Sequence, residues 1–165
     1  MNMNKNKHLI LDERYVIEHS LNENMSFKAI GKQILKDCTT VSKEVKSHIV
    51  FEKKGAPYKP FNDCLNRRHC SHHGDVCISC ERHKSRNKCS VCGHCTTSCV
   101  DYFKEECPKL SKAPYVCNGC DMLNNCTLEK RFYKALVAQK EYELVRSESR
   151  SGFNLCEDEL KQLDS

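Results

Sequence analysis

Apolar positions recur at helical spacing through the first fifty residues. From Asp12 to about Asn22, Val16, Ile17 and Leu21 fall near one face, with Arg14, Glu18 and Asn22 outside it, which is the period of an amphipathic helix. Asn24 follows, a residue tolerated in the left-handed conformation that ends helices. Ser26 is a good N-cap for a second helix with Phe27, Ile30 and Ile34 on one face. A short turn, Leu35-Lys36-Asp37, leads into a third helix from Cys38 to about His48. Asp37 caps it, and Val41, Val45 and Ile49 are its inner positions. Its outward positions are Thr39, Thr40, Ser42, Lys43, Lys46 and Ser47. Three short helices with a tight turn between the second and third describe a helix-turn-helix. Small hydroxyls and lysines on the outer face fit a major groove and reach bases and phosphates. The alternative is a three-helix bundle whose third helix is simply solvated.

The pattern then changes twice. Residues 51–62 include Glu52-Lys53-Lys54-Gly55-Ala56-Pro57-Tyr58-Lys59-Pro60, a polar stretch with two prolines and a glycine that reads as a linker. Residues 63–126 contain only 9 Leu, Ile, Val and Phe, about 14%, too little apolar surface to offset chain entropy. Helical spacing returns after Thr127, a plausible N-cap. Leu128, Phe132, Ala135, Leu136 and Val145 fall near one face, with Glu129, Lys130, Lys134, Lys140 and Glu143 elsewhere. This predicts a helix to about Glu148, ended by Ser149-Arg150-Ser151-Gly152. No sustained heptad supports pairing with another copy, so docking on the preceding segment is expected. Residues 151–165 read as a frayed final helix. The expected architecture is mainly α. A three-helix head spans 1–50, a linker 51–62, a cysteine-rich module 63–126, a long helix 127–150 and the start of a further helical module 151–165.

Composition explains what orders the middle. Cys is 14 of 165 residues, and twelve of them lie between Cys64 and Cys126. No run approaches 18 apolar residues, so no membrane-spanning helix is expected. The short Leu9-Ile10-Leu11 stretch is no signal peptide. A cytoplasmic chain with reduced thiols follows as the expectation, and many thiols in a reducing compartment argue for metal ligation over disulfides. The pairs Cys77-x-x-Cys80, Cys89-x-x-Cys92 and Cys117-x-x-Cys120 are knuckles that seat a metal on two thiolates. Cys64, Cys70, Cys95, Cys99, Cys107 and Cys126 supply further partners, and Cys92 and Cys95 form an alternative pair. Twelve thiols divide into up to three closed tetrahedral Zn²⁺ sites with no open position for chemistry. His69, His72, His73, His83 and His94 are candidate replacements. One such site supplies on the order of 10–16 kcal/mol of apparent binding energy, enough to fold a coreless segment. The spacing leaves the sharing of ligands open.

A rival reading is an iron–sulfur redox protein, because Cys89-x2-Cys92-x2-Cys95-x3-Cys99 has the spacing of the bacterial ferredoxin run. Val100 stands where that run usually has Pro. A catalytic Cys–His pair is disfavoured, since a nucleophile is one thiol in a pocket and these thiols come in ligand pairs.

Charge locates the anionic partner. Residues 1–60 hold 11 Lys and Arg against 7 Asp and Glu; residues 61–126 hold 9 against 7, and residues 127–165 hold 7 against 8. Three four-thiolate zinc sites bring about -6 to the middle segment. The surface for phosphate is therefore sought in the head.

The head resembles the opening of transposases of the insertion sequence 30 family. The resemblance rests on Leu9-Ile10-Leu11-Asp12-Glu13-Arg14 with Ile17, on Ser26-Phe27-Lys28-Ala29-Ile30-Gly31, and on Thr39-Thr40-Val41-Ser42-Lys43-Glu44-Val45. It runs without gaps from about residue 9 to 48. The runs Pro114-Tyr115-Val116-Cys117-Asn118-Gly119-Cys120 and Cys126-Thr127-Leu128-Glu129-Lys130, with Tyr133 and Ala135, are similar to a cysteine-rich insert in clostridial-type members. Three positions depart from the family. Ile10 replaces a hydroxyl cap, Ala29 replaces the Glu of a capping box, and Leu35 stands at the usual turn Gly, where a positive φ costs about 1 kcal/mol or more. The family's RNase H-like catalytic domain, with its Asp-Asp-Glu triad, has no counterpart among these residues.

The resemblance implies a truncated transposase that binds double-stranded element-end DNA and is not itself an enzyme. It implies that the third helix enters the major groove, with Thr39, Thr40 and Lys43 at base edges and Lys36, Ser42 and Lys46 at phosphates. Self-association, or association with a full-length transposase, is the expected protein contact. The reading from a different class is a zinc-stabilised protein-interaction or regulatory module.

Overall fold

The computed structural model describes residues 8–72 and 94–151. Four α-helices and a two-stranded sheet make the fold mainly helical: α1 (Leu11–Asn22), α2 (Phe27–Gln33), α3 (Cys38–Ser47), β1 (Ile49–Glu52), β2 (Lys130–Tyr133) and α4 (Ala135–Ser151). Short 3-10 turns at Leu65–Arg68, His94–Thr97 and Pro108–Ser111 punctuate the cysteine-rich segment.

The three N-terminal helices follow their capping chemistry. Ile10 at the N-cap of α1 has no side-chain hydrogen bond to give, and the Ile10 amide instead donates to Glu13 Oε2 at 2.9 Å. Asn24 takes φ 59° after α1, as its tolerance of that region predicts. Ser26 caps α2, its hydroxyl accepting from the Ala29 amide, and the Asp37 carboxylate accepts from the Thr39 amide at 2.8 Å to cap α3.

Ile17, Leu21, Ile30, Ile34, Val41 and Val45 are buried together, with Phe27 and Ile49 packed against them. Two assignments on α1 are reversed: Val16 is exposed and Arg14 is buried. Every printed partner of Arg14 comes from a different part of the chain. Its Nε pairs with Glu44 Oε1 at 2.7 Å, and its Nη1 donates to the Leu9 carbonyl and to Gln139 Oε1. A guanidinium with its donors satisfied can be buried where an apolar side chain was expected.

The remainder of the core comes from far along the chain. Val116, Tyr133 and Ala138 join the same apolar cluster. Tyr133 is on β2, which pairs antiparallel with β1 in the register Ile49↔Tyr133, Val50↔Phe132, Phe51↔Arg131 and Glu52↔Lys130. Neither strand was foreseen. Ile49 was assigned to the end of the third helix, Phe51 and Glu52 to a linker, and 128–134 to the start of a helix. The β-branched and aromatic residues Ile49, Val50, Phe51, Phe132 and Tyr133 suit a strand, and pairing supplies the partner that a lone four-residue run lacks.

The last helix is correspondingly shorter at its start. It begins at Ala135, whose amide donates to Glu18 Oε2 of α1 at 2.7 Å. That acid lies at a helix N-terminus, where negative charge is favoured. Ala135 and Ala138 are fully buried, while Leu136 and Val145, expected on the inner face, are exposed. The helix docks on α1 rather than on the cysteine-rich segment. Among the described residues, no helix is long and apolar enough to cross a membrane.

Candidate nucleic-acid interface

The turn from α2 into α3 is tight because two backbone positions are unusual. Lys36 N–H donates to the Gly31 carbonyl at 2.9 Å, and a Cβ on Gly31 would stand 2.6 Å from the Lys36 carbonyl oxygen. The chain therefore folds back directly over α2. Leu35 completes the reversal at φ 55°, the left-handed region expected for the family's turn glycine, with its side chain largely in solvent.

Helix α3 is held from below and open above. Val41 and Val45 are fully buried. Glu44 is fixed by the Arg14 guanidinium and by the Tyr133 hydroxyl, which donates to its Oε1 at 3.1 Å. Burial and the Glu44 carboxylate push the Tyr133 phenol far above its ordinary value, so it remains a hydrogen-bond donor. At the end of α3, His48 contacts Glu141 of α4 at 2.6 Å. These contacts fix the helix in rotation, so the opposite side chains project as a set.

Thr39, Lys43, Lys46 and Ser47 are exposed on that opposite side, and Thr40 and Ser42 are half-buried. The Thr39 hydroxyl donates to Asp37 Oδ1 at 2.6 Å. The Thr39 side-chain and backbone hydrogen bonds hold the Asp37 carboxyl below its ordinary value. Lys43 pairs with no acid among the described residues. Lys46 lies over the Tyr115 ring, its Nζ 4.2 Å from the centroid. Lys36 is mostly covered and lies 3.7 Å from Glu13 Oε1. The six residues expected at DNA are thus on one element and its entry turn, but Lys36 is already engaged.

Tyr115 was missed as a neighbour of this surface. It touches Phe27 of α2, with ring centroids 6.2 Å apart, and carries Lys46. Its place in the Pro114-Tyr115-Val116 run was visible in the sequence, but its position beside α3 was not. The buried set Arg14, Glu44 and Tyr133 was also missed, because none of the three lies on an apolar stripe.

The cysteines divide by position. Cys77, Cys80, Cys89 and Cys92 lie outside the described residues, and Cys95 sits on the His94–Thr97 turn. Cys64 and Cys117 are buried, and Cys70, Cys99, Cys107, Cys120 and Cys126 are half-buried. Burial pushes the Cys117 thiol up; the Arg131 amide opposes this, and the nearby thiols of Cys120, Cys126 and Cys107 add to it. Among the described residues, no three His, Cys, Asp or Glu side chains form a finished metal-holding group.

A family model described as a helix-turn-helix domain matches residues 5–48, a domain of a kind found in transposases. No curated protein and no solved structure matches the chain.

Proposed function

We propose that the protein binds double-stranded DNA through α3. The observation that carries this reading is the coincidence of the helix-turn-helix match with an α3 whose inner face is anchored and whose outer face presents Thr39, Lys43, Lys46 and Ser47. Lys43, with no acid to satisfy it, is the foremost candidate for a base contact, together with Thr39 and Thr40. Ser42 and Lys46 reach the phosphates on either side. Tyr115 holds the stem of Lys46 and so limits the freedom lost on contact. Lys36 joins only by leaving Glu13. The role assigned is recognition of transposable-element ends, a binding role with no catalytic step. A cysteine-rich segment folded by structural Zn²⁺ belongs to the same reading.

The test is a titration of the full chain with duplex DNA at several salt concentrations. Log affinity should fall linearly with log salt as phosphate contacts release counterions. Selection from a random duplex pool should return a preferred sequence. Lys43→Ala is expected to weaken binding to that sequence by about 1–3 kcal/mol and to relax discrimination at one position. An unchanged isotherm removes Lys43 from the interface, and affinity insensitive to salt removes the DNA reading.

A further inference from the structure

Residues 107–126 are nearly all turns, yet they are held against the helical head. The Cys107 carbonyl accepts from Leu110 N–H at 3.0 Å, the Cys117 carbonyl from Cys120 N–H at 3.0 Å and the Cys120 carbonyl from Leu123 N–H at 3.1 Å. Cys117 lies alongside β2: its amide donates to the Arg131 carbonyl, and the Arg131 amide donates back to Cys117 Sγ at 3.4 Å. The next residue is tied on both sides. Asn118 accepts from the Tyr133 amide at 2.9 Å and donates to Asn22 at the end of α1 at 3.0 Å. Gly119 takes φ 67°, and a Cβ there would come within 2.7 Å of the Leu21 and Asn22 carbonyl oxygens. The Cys117–Cys120 loop is therefore a knuckle wedged between β2 and α1, and only glycine fits its inner corner.

Apolar burial does not account for this order. Leu110 and Val116 are the buried aliphatic residues of the stretch. The thiols of Cys107, Cys120 and Cys126 neighbour that of Cys117. Lys130 supplies an independent clue. Its ammonium is buried and donates to the carbonyls of Lys54, Gly55 and, at 2.9 Å, Cys126. No carboxylate faces it among the described residues. A buried cation with only carbonyl partners calls for a counter-charge.

We propose that Cys107, Cys117, Cys120 and Cys126 hold one Zn²⁺ in a closed four-thiolate site that fastens the Gly119 knuckle to α1. The assignment rests on the zinc reading above and names the ligands of one site. Four thiols give up four protons to the solvent as the metal enters, leaving a centre of net charge -2. Lys130, bonded to the Cys126 carbonyl, balances part of that charge, and the Arg131 amide bonds one of its sulfurs.

The experiment uses the full natural chain loaded with Zn²⁺. Zinc and iron are measured by mass spectrometry, and each cysteine's alkylation by N-ethylmaleimide is followed before and after chelation. Zinc should protect Cys107, Cys117, Cys120 and Cys126 together, by roughly ten-fold or more in rate, since the thiolate is withdrawn from reaction. Cys38, exposed on α3, should react at the same rate in both samples. The double variant Cys107→Ser/Cys126→Ser should lose one zinc equivalent, as should Cys117→Ser alone. If zinc is bound but these four react equally with and without it, or the double variant loses two equivalents, the assignment is overturned and the zinc reading stands. Iron in place of zinc, or no metal, overturns both. Footprinting of the natural chain decides the matter even where a variant fails to fold.

Discussion

The helical head and the cysteine-rich turns offset chain entropy by different means. The head buries Ile17, Leu21, Ile30, Val41 and Val45 completely, and its helices carry caps at Ser26 and Asp37. The turns between Cys107 and Cys126 bury Leu110, Val116 and Cys117, and otherwise rely on backbone hydrogen bonds and polar ties. The two parts are nevertheless not separable units. Val116 and Tyr133 complete the apolar cluster of the head, and Asn118 bonds both Asn22 and the Tyr133 backbone. The difference teaches that a surface helix can depend on a distant, coreless segment for its orientation.

The strongest way to break the comparison is to remove the metal. Chelation should collapse amide protection across residues 107–126, with an apparent loss on the order of the 10–16 kcal/mol a structural zinc site supplies. Hydrogen exchange should show α2 and α3 losing far less. Equal loss everywhere would mean that the head has no stability of its own.

A smaller effect is expected at Arg14. Arg14→Met strips the buried Glu44 of its guanidinium, and breaking a buried pair costs about 3–5 kcal/mol. Denaturant unfolding should register this loss with zinc present. A shift under 1 kcal/mol by roughly the scale of an exposed pair would show that Glu44 is solvated when α3 is free of Arg14.

Lys130→Met lies where the two parts meet. It leaves carbonyls of Lys54, Gly55 and Cys126 short of a donor, at a cost of about 1–3 kcal/mol. The loss should be greater with zinc bound than after chelation, which a pair of unfolding curves would reveal. The smallest change is local to the head. Leu35→Gly relieves a positive φ at an exposed position and should raise the unfolding free energy by up to about 1 kcal/mol. A destabilised variant would mean that the Leu35 side chain packs in solution.

The helix-turn-helix was legible because its signals are local. Ser26 and Asp37 cap by bonding amides two or three residues on, and Ile30, Ile34, Val41 and Val45 repeat at the helical period. Even the strained Leu35 was legible, as a side chain at a turn position that favours glycine. The candidate DNA face follows from the same period, being whatever the apolar stripe leaves outside. Other features depended on partners that no local pattern names. Four residues at 49–52 and four at 130–133 became strands only through each other, across some eighty intervening residues. Arg14 looked like a surface residue because its acceptors, Glu44 and Gln139, come from other helices. The cysteine spacing announced thiol pairs without saying which four meet, since ligation is a matter of distance in space. Capping and periodicity act within a few residues and are written in order along the chain, whereas strand pairing, buried charge and shared ligands act between segments and are decided only when the chain has closed on itself.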